Sequence, residues 1–190
     1  MTEPKEIATL PPLDLIVPTI PLSEATGQPR RHPVMVVGIL FLYAAAVLAM
    51  VSAGVAWWHS MDMARFPTAT KLIEITAPRP GGWRSIVLVT ALALVTVLLV
   101  ATPSVSGFNA WNGHRWSRIA ALVSIPVAAL GWFLNPIAWA GVPLCVIGAG
   151  ILWTQPVGRY FDHWATFRAG EVTLPPEPAP IVYGPLPRYR

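Results

Sequence analysis

The sequence predicts an all-α membrane protein with four transmembrane helices, a short interfacial helix after the last one, and Pro-rich tails. Hydrophobic residues make up 54% of the chain and charged residues only 12%, whereas roughly 25% of residues are charged in soluble domains. The charged residues also lie almost entirely outside the long apolar runs. A soluble helical core would instead interleave charges along each helix, so this segregation indicates a membrane protein.

The apolar runs define a predicted four-helix transmembrane bundle over residues 33–157. Each run is close to the roughly 20 residues that a helix needs to cross a bilayer. The spans are predicted at about 33–57, 84–102, 116–133 and 136–153. The flanking segments are predicted as a disordered Pro-rich N-terminal tail at 1–32, an interfacial amphipathic helix at 158–169 and a Pro-rich C-terminal tail at 170–190.

Turn-forming residues set the predicted connections. Pro103 is expected to end the second span, and the residues from Ser104 to Ser117 are expected to form a polar turn. In the longest loop, residues 59–83, the stretch from Ala69 to Thr76 alternates loosely in polarity. That stretch fits either a short strand or a short interfacial helix, and the pattern does not choose between them.

The third and fourth spans are expected to form a tight antiparallel hairpin. Only Leu134 and Asn135 separate them, which leaves no room for a longer connection. Pro126 and Pro143 lie inside the two spans and are expected to kink them, because proline has no N–H for the helical hydrogen bond.

The segment after the last span is predicted to form a short helix on the membrane surface. Tyr160, Phe161, Trp164 and Phe167 fall on one face at helical spacing, and the charged residues lie largely opposite. Gly170 is expected to end this helix.

The distribution of positive charge predicts the orientation. An even number of spans places both termini on one side, and near the membrane that side carries about six Lys and Arg residues against four on the other. The positive-inside rule therefore predicts a multi-pass protein of the bacterial inner (plasma) membrane with both termini cytoplasmic. The first apolar run is too long for a signal peptide, so we expect no cleavable leader.

Small residues recur every four positions along several spans and let helix backbones approach closely. They are interpreted as faces that pack within the bundle or dock a partner. These predicted faces comprise Ala45, Ala49, Ala53, Ala120, Ser124, Ala128, Gly141 and Gly148.

Tryptophans near the span ends are predicted to anchor the membrane interfaces. The predicted anchors are Trp57, Trp58, Trp83, Trp116, Trp132, Trp139, Trp153 and Trp164.

The spans carry little that could support catalysis or metal binding. None has an Asp, Glu, Lys or His in its middle, which argues against a proton relay or an ion-coupled carrier. Cys145 is the only cysteine, so no intramolecular disulfide or zinc cluster is expected. The four histidines are far apart in sequence: His32, His59, His114 and His163. We therefore predict no enzyme activity, no catalytic, cofactor-binding or metal-binding residues, and no cofactor. The pI near 9.7 comes without a dense Lys/Arg stripe, so nucleic acid is not expected as a partner.

One junction carries a family resemblance. The run Gly113-His114-Arg115-Trp116-Ser117-Arg118 is similar to the loop-to-span junction of small uncharacterised four-span bacterial membrane proteins. The Ala/Val/Pro/Trp bias and the Pro-rich tails resemble actinobacterial proteins, including mycobacterial and mycobacteriophage-encoded examples. The resemblance covers the span pattern and this junction. It implies a four-span fold and little about activity, because most such proteins have none assigned.

Two functional hypotheses follow. The leading one is a non-enzymatic accessory subunit or scaffold of a membrane complex, whose partners are the lipid bilayer and other membrane subunits or further copies of itself. The alternative is a homo-oligomeric pore-forming or membrane-depolarising protein, such as a phage-encoded defence component. A carrier for a neutral or lipid substrate ranks below both, because the spans show no polar midplane.

Overall fold

A computed structural model describes residues 20–23 and 26–170. The rest of the two predicted tails, including all of 171–190, lies outside the described residues. Helices account for 77% of the described chain, and no strand occurs in it. The helices are α1 (Pro33–Met61), α2 (Lys71–Thr76), α3 (Trp83–Trp111), α4 (Ser117–Ala129), α5 (Pro136–Trp139), α6 (Gly141–Leu152) and α7 (Gln155–Arg168). Short 3₁₀-helices lie at Phe66–Thr68 and Leu130–Phe133.

Four helices form the bundle: α1 packs against α3 and α6, and α4 packs against the same two. The guanidinium carbon of Arg31, just before α1, lies 4.4 Å from the centre of the Trp111 ring at the end of α3. Arg118 at the start of α4 donates from Nε to the carbonyl of Leu152 at the end of α6, at 3.0 Å. Neighbouring helices are therefore antiparallel. We call this end of the bundle the tail end and the opposite end, which holds α2 and α5, the hairpin end.

Two helices are long and apolar enough to cross a membrane, α1 and α3. Each has 29 residues, or about 43 Å at 1.5 Å per residue, which exceeds the roughly 30 Å of a bilayer's hydrocarbon core. A third candidate joins α5 and α6 with α7 across a bend of 62°. These two or three apolar helices indicate a membrane protein, and the expectation of four crossings stays a prediction.

The second long helix does not end at Pro103, as the sequence predicts, but continues through it to Trp111. The polar residues that suggested a turn are satisfied within their own helix. Ser106 donates to the carbonyl of Thr102, and Asn109 donates to that of Val105. Pro103 itself is fully buried against other helices, and a membrane helix tolerates proline where its neighbours pack around the break. The true turn is short and lies between α3 and α4.

The predicted hairpin is present but its arms are short and interrupted. The first arm has 13 residues of α-helix and 4 of 3₁₀-helix, or about 28 Å of helix. The second arm is divided at Ala140 into α5 and α6. Pro143 explains this division, because it has no N–H to donate to the carbonyl of Trp139, four residues earlier.

The long loop between α1 and α3 covers the tip of this hairpin. The stretch that fitted either a strand or a helix contains α2, whose first turn is capped by the Thr70 hydroxyl accepting from the Ile73 N–H at 3.2 Å. Phe66 and Ile73 are buried in one cluster with Leu134 at the hairpin tip. The Lys71 N–H also donates to the Leu134 carbonyl at 2.9 Å. The loop is therefore part of the folded core.

The described part of the N-terminal segment is folded against the bundle, which corrects the prediction of disorder up to residue 32. The Arg30 N–H donates to the carbonyl of Pro21 and the Ser23 N–H to that of Gln28, both at 2.8 Å. Ile20 and Pro29 are buried. Their apolar side chains explain why this short Pro-containing segment packs onto the tail end.

Candidate functional site

The contact between α1 and α6 is a backbone-to-backbone crossing. A Cβ atom added to Gly148 would lie 3.0 Å from the carbonyl oxygen of Gly38, and one added to Gly141 would lie 3.8 Å from that of Ala45. Gly38 and Ala45 are seven residues apart, as are Gly141 and Gly148, so the two antiparallel helices meet at matching intervals. This spacing is the signal that would have identified Gly38, which the four-residue pattern missed.

Along the same face of α1, seven residues after Ala45, Ser52 makes a polar contact with the hairpin. The Ser52 hydroxyl donates to Oδ1 of Asn135 at 2.8 Å, and Nδ2 of Asn135 donates to the Ser52 carbonyl at 3.1 Å. The same Oδ1 accepts from the N–H groups of Ile137 and Ala138 and so caps α5. Ser52 is fully buried. Asn135, which the sequence marked only as a connector, therefore ties the hairpin tip to α1.

The contact between α3 and α4 also uses small polar residues. The hydroxyls of Ser106 and Ser124 lie 3.4 Å apart, and both residues are fully buried. Each hydroxyl also donates to a carbonyl of its own helix, that of Thr102 and that of Ala120 respectively. These serines therefore allow close packing without leaving a buried polar atom unpaired.

The predicted small-residue faces divide into two groups. Six of these residues are buried inside the bundle: Ala45, Ala49, Ser124, Ala128, Gly141 and Gly148. The other two, Ala53 and Ala120, are only partly buried and line grooves that open outward. The structure therefore does not bring all eight into one surface.

The groove beside Ala53 separates α1 from α3 near the hairpin end and has a volume of about 390 Å³. A Cβ atom added to Gly54 would have no other atom within 4 Å, so this wall of the groove is open. The Thr96 hydroxyl on the opposite wall donates to the Leu92 carbonyl of its own helix, so its proton is already used within α3. We call this cavity the α1–α3 groove; its walls include Ala53, Gly54, Trp57, Leu92, Ala93 and Thr96.

A second groove lies between α3 and α4, nearer the tail end, with a volume of about 440 Å³. Ala101 and Val105 of α3 face Ala120 and Val123 of α4 across it. It is more open than the α1–α3 groove and is likewise lined mainly by apolar side chains.

Seven of the eight predicted tryptophan anchors are exposed. Trp57, Trp58, Trp83, Trp132 and Trp139 lie at the hairpin end, and Trp116 and Trp153 lie at the tail end with the exposed Trp111. Trp164 is an exception, because it is only 9% exposed. A Cβ atom added to Gly113 would lie 2.2 Å from Cγ of Trp164, so the indole packs directly on this turn. Trp164 is therefore a core residue of the tail end and not an interface anchor.

The aromatic face of α7 explains this correction. Tyr160, Phe161 and Trp164 are buried against the bundle, whereas the sequence predicted that this face would lie in the membrane interface. The Tyr160 hydroxyl donates to the Trp111 carbonyl at 2.8 Å, and Arg168 donates to the carbonyls of Asn112 and Gly113. Burial raises the pKa of Tyr160, which keeps the phenol a neutral donor. The helix thus caps the C-terminal end of α3.

Within the described residues no group of three or more His, Cys, Asp or Glu side chains could hold a metal ion. The histidines that are distant in sequence are not all distant in space, since His32 and His163 line the same pocket at the tail end. No local pattern signals this pairing, because it depends on how α7 folds back.

No family model matches the chain, and neither the curated proteins nor the solved structures contain a match. The resemblance of the Gly113–Arg118 junction to small four-span actinobacterial proteins therefore stays a prediction.

Proposed function

We propose that this chain is a non-enzymatic accessory subunit or scaffold of a membrane complex, and that it receives a transmembrane helix of a partner protein in the α1–α3 groove. The observation that carries the proposal is the open wall at Gly54, together with the partly buried Ala53 beside it. Small side chains allow a second helix to approach closely, which is a main source of helix association inside lipid.

The uneven burial of the long helices supports this assignment. In an apolar stretch of 18 residues within α1, 39% of the residues are buried, whereas in the corresponding stretch of α3 only 17% are buried. The exposed side chains of α3 beside the groove include Val89, Ala93 and Val97, and none of them is charged. A partner that lies here would therefore be an apolar helix and not a soluble domain.

We also propose that the chain crosses the plasma membrane of a bacterium four times with both termini in the cytoplasm. The tryptophans at both ends of the bundle support this arrangement, since indole rings favour the headgroup region. The hairpin tip supports it as well, because Asn135 and Leu134 pair their polar groups with Ser52 and Lys71. Irregular backbone at membrane depth requires such internal partners.

The charges of the described residues agree with this orientation. Six arginines lie at the tail end: Arg30, Arg31, Arg115, Arg118, Arg159 and Arg168. Four basic residues lie at the hairpin end: Arg65, Lys71, Arg79 and Arg84. The excess at the tail end favours a cytoplasmic location for it under the positive-inside rule.

The test is purification in mild detergent of the tagged full chain, expressed at its native level in the cell that encodes it. We expect a companion protein in a fixed stoichiometry. Gly54→Leu should remove that companion because the leucine fills the groove. Gly150→Leu is the matched control, since Gly150 is also a helical glycine with no atom within 4 Å of an added Cβ.

Two results would contradict the proposal. One is recovery of the wild-type chain alone, without a companion. The other is an equal yield of companion from the Gly54→Leu and Gly150→Leu variants. If the companion is a second copy of the chain, ion leakage from proteoliposomes decides whether the homo-oligomer is a pore. The apolar lining of the groove argues against an aqueous path there.

A further inference from the structure

A basic pocket lies at the tail end, between the N-terminal segment and the first turns of α7. Its volume is about 240 Å³, which is below the roughly 300–1,000 Å³ of pockets for drug-sized ligands. The residues that line it are Pro21, Arg30, His32, Pro156, Arg159, Tyr160 and His163. None of the seven is acidic.

The two arginines of this pocket are available to a ligand. Arg30 and Arg159 are both exposed. The salt bridges within residues 20–23 and 26–170 join other residues, namely Arg65 to Asp62, Lys71 to Glu74 and Arg115 to Asp162. Neither pocket guanidinium therefore has a carboxylate partner in the described chain. A guanidinium presents several N–H donors in a fixed fork that matches the oxygens of phosphate.

Two helix N-termini meet at the same pocket. His32 is the N-cap of α1, and Pro156 lies in the first turn of α7. Neither helix has an acidic residue in its first turn. The N-terminal end of a helix carries a partial positive charge. Both helices therefore add to the positive potential that the arginines create.

His32 can add a further donor to the pocket, whereas the Tyr160 hydroxyl already donates its proton to the Trp111 carbonyl. Nδ1 of His32 accepts from the Val34 N–H at 3.3 Å, so in the neutral ring the proton is on Nε2. The Thr154 hydroxyl donates to the Ile151 carbonyl and does not cap α7. The first turn of α7 is thus free of a side-chain acceptor. A ligand that fits this set must accept hydrogen bonds and carry negative charge.

We propose that this pocket binds a phosphate group, either in the headgroup of an anionic lipid or as a free phosphate. The pocket lies at the same end of the bundle as the exposed Trp111, Trp116 and Trp153, which is near headgroup level if the chain crosses the membrane as proposed above. Basic pockets at the cytoplasmic side of membrane helices bind phosphorylated lipid headgroups by the same chemistry. The pocket does not involve the α1–α3 groove, so this proposal is independent of the partner helix.

The test compares ligand binding by the purified full chain in detergent. One arm measures retention of phosphatidylglycerol against phosphatidylcholine by native mass spectrometry, and the other measures binding of inorganic phosphate by calorimetry. We expect the variant Arg30→Gln/Arg159→Gln to bind at least about tenfold more weakly than wild type in one arm. Loss in the lipid arm identifies a headgroup site, and loss in the phosphate arm identifies a free phosphate site.

The matched control is Arg79→Gln/Arg84→Gln, which removes the same charge from the hairpin end, where neither arginine makes a salt bridge within the described chain. It should bind as wild type does. Arg30→Lys/Arg159→Lys keeps the charge but loses the guanidinium fork, so it should bind more weakly than wild type and more tightly than the Gln variant. Binding above that of the Gln variant would show that the pocket is still folded. Equal binding by both Gln variants in both arms would overturn the proposal, as would equal weakening of both.

Discussion

The two ends of the bundle are closed in different ways. At the tail end, α7 lies across the helices and donates from Tyr160 and Arg168 to the carbonyls that end α3. At the hairpin end, the loop around α2 covers the hairpin tip, but α1 and α3 separate and leave a groove of about 390 Å³. One end is closed by directed polar contacts, and the other is closed on one side only.

The difference follows from the backbone groups that each end presents. The carbonyls of Trp111, Asn112 and Gly113 come at a helix end, where no later turn supplies donors, and they require donors from elsewhere. Most of the walls of the α1–α3 groove lie inside α1 and α3, whose backbone groups are already paired. An apolar gap there leaves no polar group unsatisfied. We therefore expect substitutions in the contacts that close the two ends to lower the free energy of unfolding. Substitutions in the α1–α3 groove should leave it unchanged.

The largest effect is expected for Gly113→Ala at the tail end. The added Cβ atom would lie 2.2 Å from Cγ of Trp164, and the backbone of Gly113 has a φ of +70°. The loss of unfolding free energy should be about 3 kcal/mol or more, through strain and displacement of the buried indole. The measurement is the unfolding of the detergent-solubilised protein, monitored by thiol labelling of Cys145. Cys145 is the only cysteine of the chain and is 1% exposed in the folded protein.

Gly81→Ala is the control for the backbone contribution alone. Gly81 has a φ of +74° and no atom within 4 Å of an added Cβ. The Gly81→Ala variant should lose about 1 kcal/mol of unfolding free energy. Equal losses for the two variants would show that α7 does not close the tail end in the way described.

The second prediction concerns the closed side of the hairpin end. Asn135→Ala removes the α5 cap and both hydrogen bonds to Ser52. We expect a loss of about 2 kcal/mol, from the cap and from the buried groups left unpaired. Asn109→Ala is the control, because its amide donates only to the Val105 carbonyl of its own helix. An equally small effect for both would mean that the tip is held by apolar packing alone.

The fold class was largely predictable, because apolar runs and segregated charges identify helices without any knowledge of their neighbours. The errors share a cause: they concern what surrounds a residue. Periodicity identified the aromatic face of α7 but not that this face, with Trp164, would be covered by the end of α3. Pro103 resembled a helix terminator because its packed surroundings were not visible in the sequence.

The contacts that organise the candidate sites were less predictable still. Ser52 and Asn135 lie 83 residues apart, and no local pattern relates them. His32 and His163 line one pocket only because α7 folds back over the tail end. The spacing of seven residues between Gly38 and Ala45 is the exception. It was present in the sequence and would have predicted the face of α1 that packs against α6.

The third prediction tests a single hydrogen bond at the tail end. Tyr160→Phe removes the donor to the Trp111 carbonyl and keeps the buried ring. We expect a loss of about 1 kcal/mol, the usual net value of one buried hydrogen bond. Tyr43→Phe is the control, since the Tyr43 hydroxyl makes no hydrogen bond within the described chain and this residue is 37% exposed. A larger loss for Tyr43→Phe would contradict the role given to Tyr160.

The smallest effect is expected for the ion pair that joins α7 to the α3–α4 turn. Nη2 of Arg115 and Oδ1 of Asp162 lie 2.5 Å apart, but both side chains are 62% exposed. Water and salt therefore screen their attraction. A double-mutant cycle with Arg115→Ala and Asp162→Ala should give a coupling of about 0.5 kcal/mol that falls with added salt. The Lys71–Glu74 pair at the hairpin end, also exposed, should give a similar value. A coupling well above that of Lys71–Glu74, and insensitive to salt, would mean that charge closes the tail end. The expected result leaves that closure to the buried aromatic rings and to the donors that reach the end of α3.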